Sequence, residues 1–161
     1  MAQRGFAVAA FRESGMWRCD ALPPSVLDDL GVLLSALRGQ PPEGGPFVVA
    51  SVDDEFFLIA RLHGSRIDLL LSDLTAAVEF PLASQVLDRL GEDPPEEDEL
   101  DDVWPIGELD LFSDLELGEE EMGAILDDLD AYPDEMLDAV IERIGMVEEF
   151  RRATPSGQIA Q

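Results

Sequence analysis

The sequence predicts an α+β protein whose first part is a two-layer domain with a five-stranded antiparallel sheet. Three observations lead to this class. Short runs rich in β-formers are separated by turn residues, several segments keep the apolar spacing of amphipathic helices, and an acidic stretch divides the chain. The predicted order is β-β-α-β-β-β-α, followed by an acidic linker and a C-terminal αα-hairpin.

A β-hairpin is predicted first. The runs from Gly5 to Phe11 and from Met16 to Leu22 contain β-formers, and Glu13-Ser14-Gly15 separates them. A helix follows, because Ser25 with Asp28 three residues later forms a helix-start motif. Its apolar face has the helical spacing of Leu27, Leu30, Leu34 and Leu37, up to Arg38.

Three further strands and a second helix complete the first part. Phe47 to Val52, Glu55 to Leu62 and Arg66 to Leu71 are β-rich runs joined by short polar turns, which predicts an antiparallel meander. The second helix spans about Pro81 to Leu90, and Gly91 ends it.

The second part is predicted to contain two short helices. In the first, three glutamates precede an apolar stripe of Met122, Ile125, Leu126 and Leu129. Pro133 breaks this helix, and the second carries Leu137, Val140, Ile141 and Ile144 before Gly145. A hairpin of this size is not stable alone, so its apolar stripe must dock on the first domain, a second copy or a partner.

The predicted boundaries give four regions. Residues 1–91 form the α+β domain, 92–102 an acidic linker, 103–152 an aromatic segment with the helical hairpin, and 153–161 a disordered tail. The linker holds eight acids and two prolines in eleven residues, which cannot bury enough apolar surface to become ordered alone.

Charge is distributed unevenly between the two parts. Of 36 acidic residues, 24 lie between Gly91 and Gln161, where three arginines oppose them, so this part carries about −21. Such a surface repels phosphate backbones and anionic lipids, which excludes direct nucleic-acid and membrane binding. Its expected partners are basic proteins. Short apolar runs and a single cysteine favour a cytoplasmic protein.

The sequence contains no catalytic motif. Cys19 and His63 are the only residues of their kinds, so a Cys-His nucleophile would need both together, and a buried cysteine with a turn histidine is the favoured interpretation. One cysteine and one histidine cannot close a zinc site. We expect a protein without catalytic activity, cofactor or metal.

An aromatic segment after the linker is the candidate partner-binding element. Proline stiffens it, and its aromatic residues are anchors with little conformational entropy to lose. The alternative is that its aromatic side chains pack on the chain's own sheet. The candidate residues are Trp104, Pro105, Ile106, Asp110, Phe112 and Asp114.

Several motifs together resemble the actinobacterial tRNA adenosine deaminase-associated protein family over residues 5–152. They are F-A-V-A-A-F, F-V-V-A-S-V-D-D-E-F-F-L-I-A-R, I-D-L-L-L-S-D-L-T-A-A, the acidic linker, W-P-I-G-E-L-D-L-F-S-D-L and E-R-I-G-M-V-E-E-F-R-R. The resemblance implies an association with the tRNA adenosine deaminase, whose neighbouring gene gives the family its name. It implies no activity and no catalytic residues.

Three functions follow from these observations. The first is a noncatalytic accessory protein that binds the deaminase, or another basic tRNA-handling protein, through its acidic second part. The second is a nucleic-acid mimic or immunity-like inhibitor whose carboxylates occupy a phosphate site. The third, and least favoured, is an enzyme that uses paired carboxylates.

Overall fold

One antiparallel sheet of six strands organises the chain. A computed structural model describes residues 5–41, 43–52, 55–92, 105–127 and 132–153. The strands are β1 (Gly5–Glu13), β2 (Met16–Ala21), β3 (Phe47–Val52), β4 (Phe56–His63), β5 (Arg66–Leu71) and β6 (Ile106–Gly107). Their spatial order is β2-β1-β3-β4-β5-β6. The α+β class with an antiparallel sheet is confirmed, but the predicted count of five strands is wrong by one.

The predicted N-terminal hairpin is present, with a two-residue turn. Ser14 and Gly15 have φ values of 55° and 79°, and Glu13 pairs with Met16. Positive φ at both central residues is the geometry of a type I′ turn, whose twist matches that of the flanking strands. Ser14 and Gly15 therefore set the register of β1 against β2.

The sixth strand has only two residues, too few to show the alternation of apolar and polar residues that marks a strand in a sequence. Ile106 and Gly107 pair with Leu71 and Leu70 at the edge of β5. Gly107 has φ 119°, and a Cβ there would meet the Leu69 carbonyl oxygen at 2.0 Å, so this close approach requires glycine. A two-residue bridge of this kind cannot be recognised by alternation.

Within the part of the chain that the structure describes, five α-helices accompany the sheet. They are α1 (Leu30–Arg38), α2 (Pro81–Leu90), α3 (Glu119–Leu126), α4 (Pro133–Arg143) and α5 (Val147–Ala153). The predicted start of the first helix at Ser25 is wrong, because residues Pro24–Leu27 form a 3₁₀ turn. Asp29 caps α1 instead, accepting hydrogen bonds from the amides of Gly31 (2.8 Å) and Val32 (3.4 Å).

Helices cover both faces of the sheet, so the protein has three layers and not the two predicted. On one face, α1 and α2 bury their leucines against alternate residues of β1, β3, β4 and β5. On the opposite face, α3, α4 and α5 pack over the other set of strand residues. The predicted hairpin thus docks on the chain's own sheet, and α5 adds a third helix through the buried Phe150.

Some predicted regions fall outside the described residues. Apart from Glu92, the predicted linker 92–102 lies there, and so does the predicted tail 153–161 apart from Ala153, which ends α5. The predicted domain boundaries stay a prediction. No helix within the described ranges is long and apolar enough to cross a membrane.

Candidate protein-binding surface

The candidate segment lies along the edge and the C-terminal-helix face of the sheet. Pro105 and Ile106 are half-buried and Asp110 is exposed, whereas Trp104 lies outside the described residues. Phe112 is fully buried. Its ring lies 4.7 Å from that of Phe47 in an edge-to-face arrangement. Of the candidate residues that the structure describes, Asp110 and Asp114 are the exposed ones.

Arg61 fixes this segment to the sheet. Its side chain is 1% exposed and lies on β4. Nε donates to the Gly45 carbonyl (2.9 Å), Nη2 to the Gly44 carbonyl (2.8 Å), and Nη1 to the Leu111 carbonyl (2.7 Å). The two remaining N–H groups donate to the carboxylate of Asp114 at 2.5 and 3.0 Å. All five guanidinium donors therefore have partners, as a buried arginine requires.

The network explains the role of Asp114. This residue was predicted to contact a partner, and in the structure its carboxylate forms a bidentate pair with Arg61 while its side chain stays 58% exposed. The pair holds residues 111–114 against the sheet, and Phe112 stacks near the guanidinium at 5.6 Å. Sequence reasoning missed Arg61, although an arginine within the apolar run of β4 is an unusual feature.

The two helical layers differ in charge. Helices α3, α4 and α5 carry nine carboxylates and three arginines, whereas α1 and α2 carry Asp88 against Arg38 and Arg89. The three helices α3–α5 therefore carry a strongly negative charge, whereas the residues within α1 and α2 nearly balance, although carboxylates such as Asp28 and Glu79 flank these two helices. The two helical layers thus differ in the potential that they present to solvent.

Three carboxylates on α4 form a regular stripe along this layer. Asp134, Asp138 and Glu142 are exposed and follow one another at intervals of four residues, so they line one side of the helix. We call these three residues the α4 acidic stripe. Like charges at this spacing destabilise a helix by about 0.2–0.5 kcal/mol per pair. The i, i+4, i+8 spacing is visible in the sequence, but the sequence analysis used only the apolar residues of α4.

The electrostatics of Asp138 reflect this crowding. Partial desolvation raises the pKa of its carboxyl above the ordinary value of 3.8, and the charge of Asp134 raises it further. Arg151 opposes the shift, while Glu135 and Glu142 add to it. The folded protein therefore holds the Asp138 proton more tightly than the unfolded chain does.

This raised pKa gives a stability prediction. Between the unfolded and folded pKa values the native state binds more protons, so the Asp138 contribution to the free energy of unfolding falls as pH rises through this range. Replacing Asp138→Asn removes the penalty, and we expect a gain of ~0.5 kcal/mol at pH 7 that disappears near pH 3. Urea denaturation at both pH values measures the difference.

Glu108→Gln is the matched control for this prediction. Glu108 is exposed on the same part of the chain and lies outside the helices, so its neutralisation changes the net charge equally. We expect a smaller gain from Glu108→Gln than from Asp138→Asn. Equal effects at pH 7 would show that total charge, and not the α4 acidic stripe, sets the penalty.

Cys19 and His63 lie on different strands. Cys19 is on β2 and His63 at the end of β4, and β1 and β3 lie between these strands, which makes a separation of roughly 14 Å. Burial, and then the charges of Glu149 and Asp20, raise the pKa of the Cys19 thiol to about 12. The thiolate is the nucleophilic form, so this cysteine is not activated.

His63 and Arg66 both contact the carboxylate of Asp68 at the end of β4 and β5. Its Nε2 lies 3.2 Å from Oδ2 of Asp68, and Nε of Arg66 lies 3.1 Å from Oδ1 of the same carboxylate. In the register of β4 against β5, the backbone of Asp68 lies opposite that of Arg61. Among the described residues no group of three or more His, Cys, Asp or Glu side chains is arranged to hold a metal ion.

These observations define an acidic three-layer α+β protein with a carboxylate-rich helical face. Residues 5–147 match the Rv3753c-like tRNA adenosine deaminase-associated protein family, so the chain belongs to this family and the predicted resemblance is confirmed. The chain is 42% identical over 147 residues to Protein Rv3753c of Mycobacterium tuberculosis (strain ATCC 25618 / H37Rv), which covers 91% of this chain and 85% of that protein. No solved structure matches.

Proposed function

We propose that this chain is a noncatalytic accessory protein that binds the tRNA adenosine deaminase, or another basic tRNA-handling protein, through the face formed by α3, α4 and α5. The observation that carries the proposal is the charge difference between the two helical layers. The family description, which names a deaminase-associated protein, supports the identity of the partner.

The acidic face fits a protein that handles tRNA. Enzymes that bind tRNA present clustered lysine and arginine to the phosphate backbone, and a carboxylate-rich surface complements such a cluster. Charge complementarity of this kind mainly raises the association rate and selects the partner. The α4 acidic stripe supplies three carboxylates with a fixed spacing on a rigid element, which is a better template than a flexible acidic chain.

Side-chain roles within this face follow from their contacts. Glu121 forms an ion pair with Arg143, and Asp114 is occupied by Arg61, so these two carboxylates stabilise the fold. Asp110 and the α4 acidic stripe are exposed, and Oδ1 of Asp134 accepts a hydrogen bond from the Glu135 amide of its own helix. We assign the partner contacts to these exposed residues and not to Ile106, which packs against the core cluster beneath α1 and α2.

Calorimetric titration with the deaminase from the same genome tests the proposal. We expect a Kd of micromolar or lower at low salt, and weaker binding at high salt because screening reduces the attraction between exposed charges. Repeating the titration with tRNA present separates two modes. Binding that tolerates tRNA supports an accessory protein, whereas competition accompanied by loss of deaminase activity supports the nucleic-acid mimic. Absence of binding in every buffer would contradict the proposal.

A further inference from the structure

The free edge of the sheet at β2 has features that the acidic face does not use. Among the described residues β2 is the outermost strand on its side of the sheet. The Leu22 amide donates to the Ala7 carbonyl at 2.8 Å. This bond identifies which residues of β2 direct their backbone groups toward β1. By antiparallel alternation, the backbone groups of Trp17, Cys19 and Ala21 point away from β1. This edge therefore presents donors and acceptors to a further strand.

A groove beside this edge is locally neutral. It has a volume of about 290 Å³ and lies between β2 and α5. Among its lining residues, Arg18 and Arg152 balance Asp20 and Glu149, in a chain whose net charge is −26. Met16, at the start of the strand, is 66% exposed and adds apolar surface. Glu13 lies beside Arg18 and Glu148 beside Arg152, so the balance holds for the lining residues alone. Two like-charged copies of the chain repel each other least where the local charge is small.

We infer that β2 pairs antiparallel with β2 of a second copy of this chain about a two-fold axis. In the register that places Cys19 opposite its own counterpart, Trp17 lies opposite Ala21, so all three outward-facing residues form hydrogen-bonded pairs. The same register places Arg18 of each copy opposite Asp20 of the other. A two-fold interface repeats every contact, so the edge is self-complementary in both charge and hydrogen bonding.

The packing of the helices is compatible with this arrangement. Phe150 of α5 contacts Phe6 on β1 with ring centroids 5.9 Å apart, so α5 sits over β1 as well as β2. Glu149 and Arg152 of α5 line the groove and have opposite charges, like Arg18 and Asp20 below them. Helix α4 packs on β4, away from this edge, so the dimer does not cover the α4 acidic stripe.

Sedimentation equilibrium of the chain alone tests the inference. We expect a monomer–dimer equilibrium that shifts toward dimer as salt is added, because screening reduces the repulsion between two copies of net charge −26. Binding to a basic partner has the opposite salt dependence. The dimer measurement needs no deaminase, so failure of one proposal is distinguishable from failure of the other.

Charge variants locate the interface. Arg18→Asp places two acid–acid pairs in the dimer, and we expect the dimer Kd to rise at least about tenfold. Combining it with Asp20→Arg exchanges the two charges, restores both pairs and keeps the net charge, so we expect a Kd within about threefold of the wild type. We expect these substitutions to change the free energy of unfolding little. The ion pair that Arg18 forms with Glu13, at 3.7 Å, is exposed, and exposed pairs contribute little to stability.

Arg38→Asp on α1 is the control, since it changes the net charge equally at an exposed position away from β2. We expect it to change the dimer Kd much less than Arg18→Asp does. A chain that stays monomeric at all concentrations and salt levels would overturn the inference. A monomer is the result expected if this edge pairs instead with an extended strand of another protein. A dimer that Arg18→Asp leaves unchanged would overturn it equally.

Discussion

Replacing Arg61 with alanine is expected to lower the free energy of unfolding by about 3–5 kcal/mol, because it removes a buried guanidinium and leaves the groups bonded to it without donors. The carbonyls of Gly44, Gly45 and Leu111 lose their donors, and the Asp114 carboxylate loses its bidentate partner. Denaturation in urea measures the change. Arg61→Lys should fall between alanine and the wild type, since it keeps the charge but not the five-donor fork.

Asp110→Ala is the control for the Arg61 prediction. It removes an exposed carboxylate from the same segment, and we expect a change within about 0.5 kcal/mol. Asp114→Ala should be clearly more destabilising than Asp110→Ala, because it leaves the buried guanidinium without its counter-charge. If Arg61→Ala cost less than about 1 kcal/mol, the network would not be what holds this segment to the sheet.

Phe112→Ala is the second substitution with a large expected effect. The side chain is fully buried, and its ring contacts Phe47 edge to face. Truncating a buried phenylalanine leaves a cavity and typically costs about 3–5 kcal/mol. We expect a loss of that size in thermal or chemical denaturation, and a much smaller one for Phe112→Leu, which keeps most of the volume.

Tyr132→Ala separates burial from aromatic character. Tyr132 is 67% exposed, so its removal should change stability by about 0.5 kcal/mol or less. A Phe112→Ala protein of wild-type stability that no longer binds its partner would mean that Phe112 is a docking anchor and leaves the core on binding. That result would return Phe112 to the role that the sequence analysis first considered.

Much of the sheet was predictable because its strands have clear limits. Phe47–Val52 and Arg66–Leu71 were predicted with the observed bounds, since polar or glycine turns flank runs of β-formers. Pro81–Leu90 was also correct, because proline starts the helix and Gly91, with φ 72°, ends it. Local chemistry decides these boundaries, and local chemistry is what a sequence shows directly.

The third layer depended on contacts between distant parts of the chain. β3 is buried at every residue, as are the first six residues of β4. A strand that alternates apolar and polar residues has one covered face, whereas continuous apolar runs indicate cover on both faces. This pattern was present in Phe47–Val52 and Phe56–Ala60, but the sequence analysis assigned helices to one face only.

The Arg61 network shows the same limit at the candidate surface. Its partners lie at positions 44, 45, 111 and 114, and no local pattern connects them. By contrast, the α4 acidic stripe has a regular spacing that the sequence does show. Asp110, Asp114 and the aromatic segment were identified from composition alone, which does not distinguish a residue that pairs internally from one that faces solvent.

Two triple variants decide whether the face formed by α3, α4 and α5 binds a basic protein. The variant carries Asp134→Asn, Asp138→Asn and Glu142→Gln, and the control carries Asp28→Asn, Glu79→Gln and Asp88→Asn on the other side of the sheet. Both lose three exposed carboxylates, so their net charges are equal. Calorimetry with the deaminase at low salt should give a Kd at least about tenfold higher for the stripe variant and within about threefold of wild type for the control. Equal weakening of both would mean that overall charge, and not this face, attracts the partner, and wild-type affinity in the stripe variant would contradict the account.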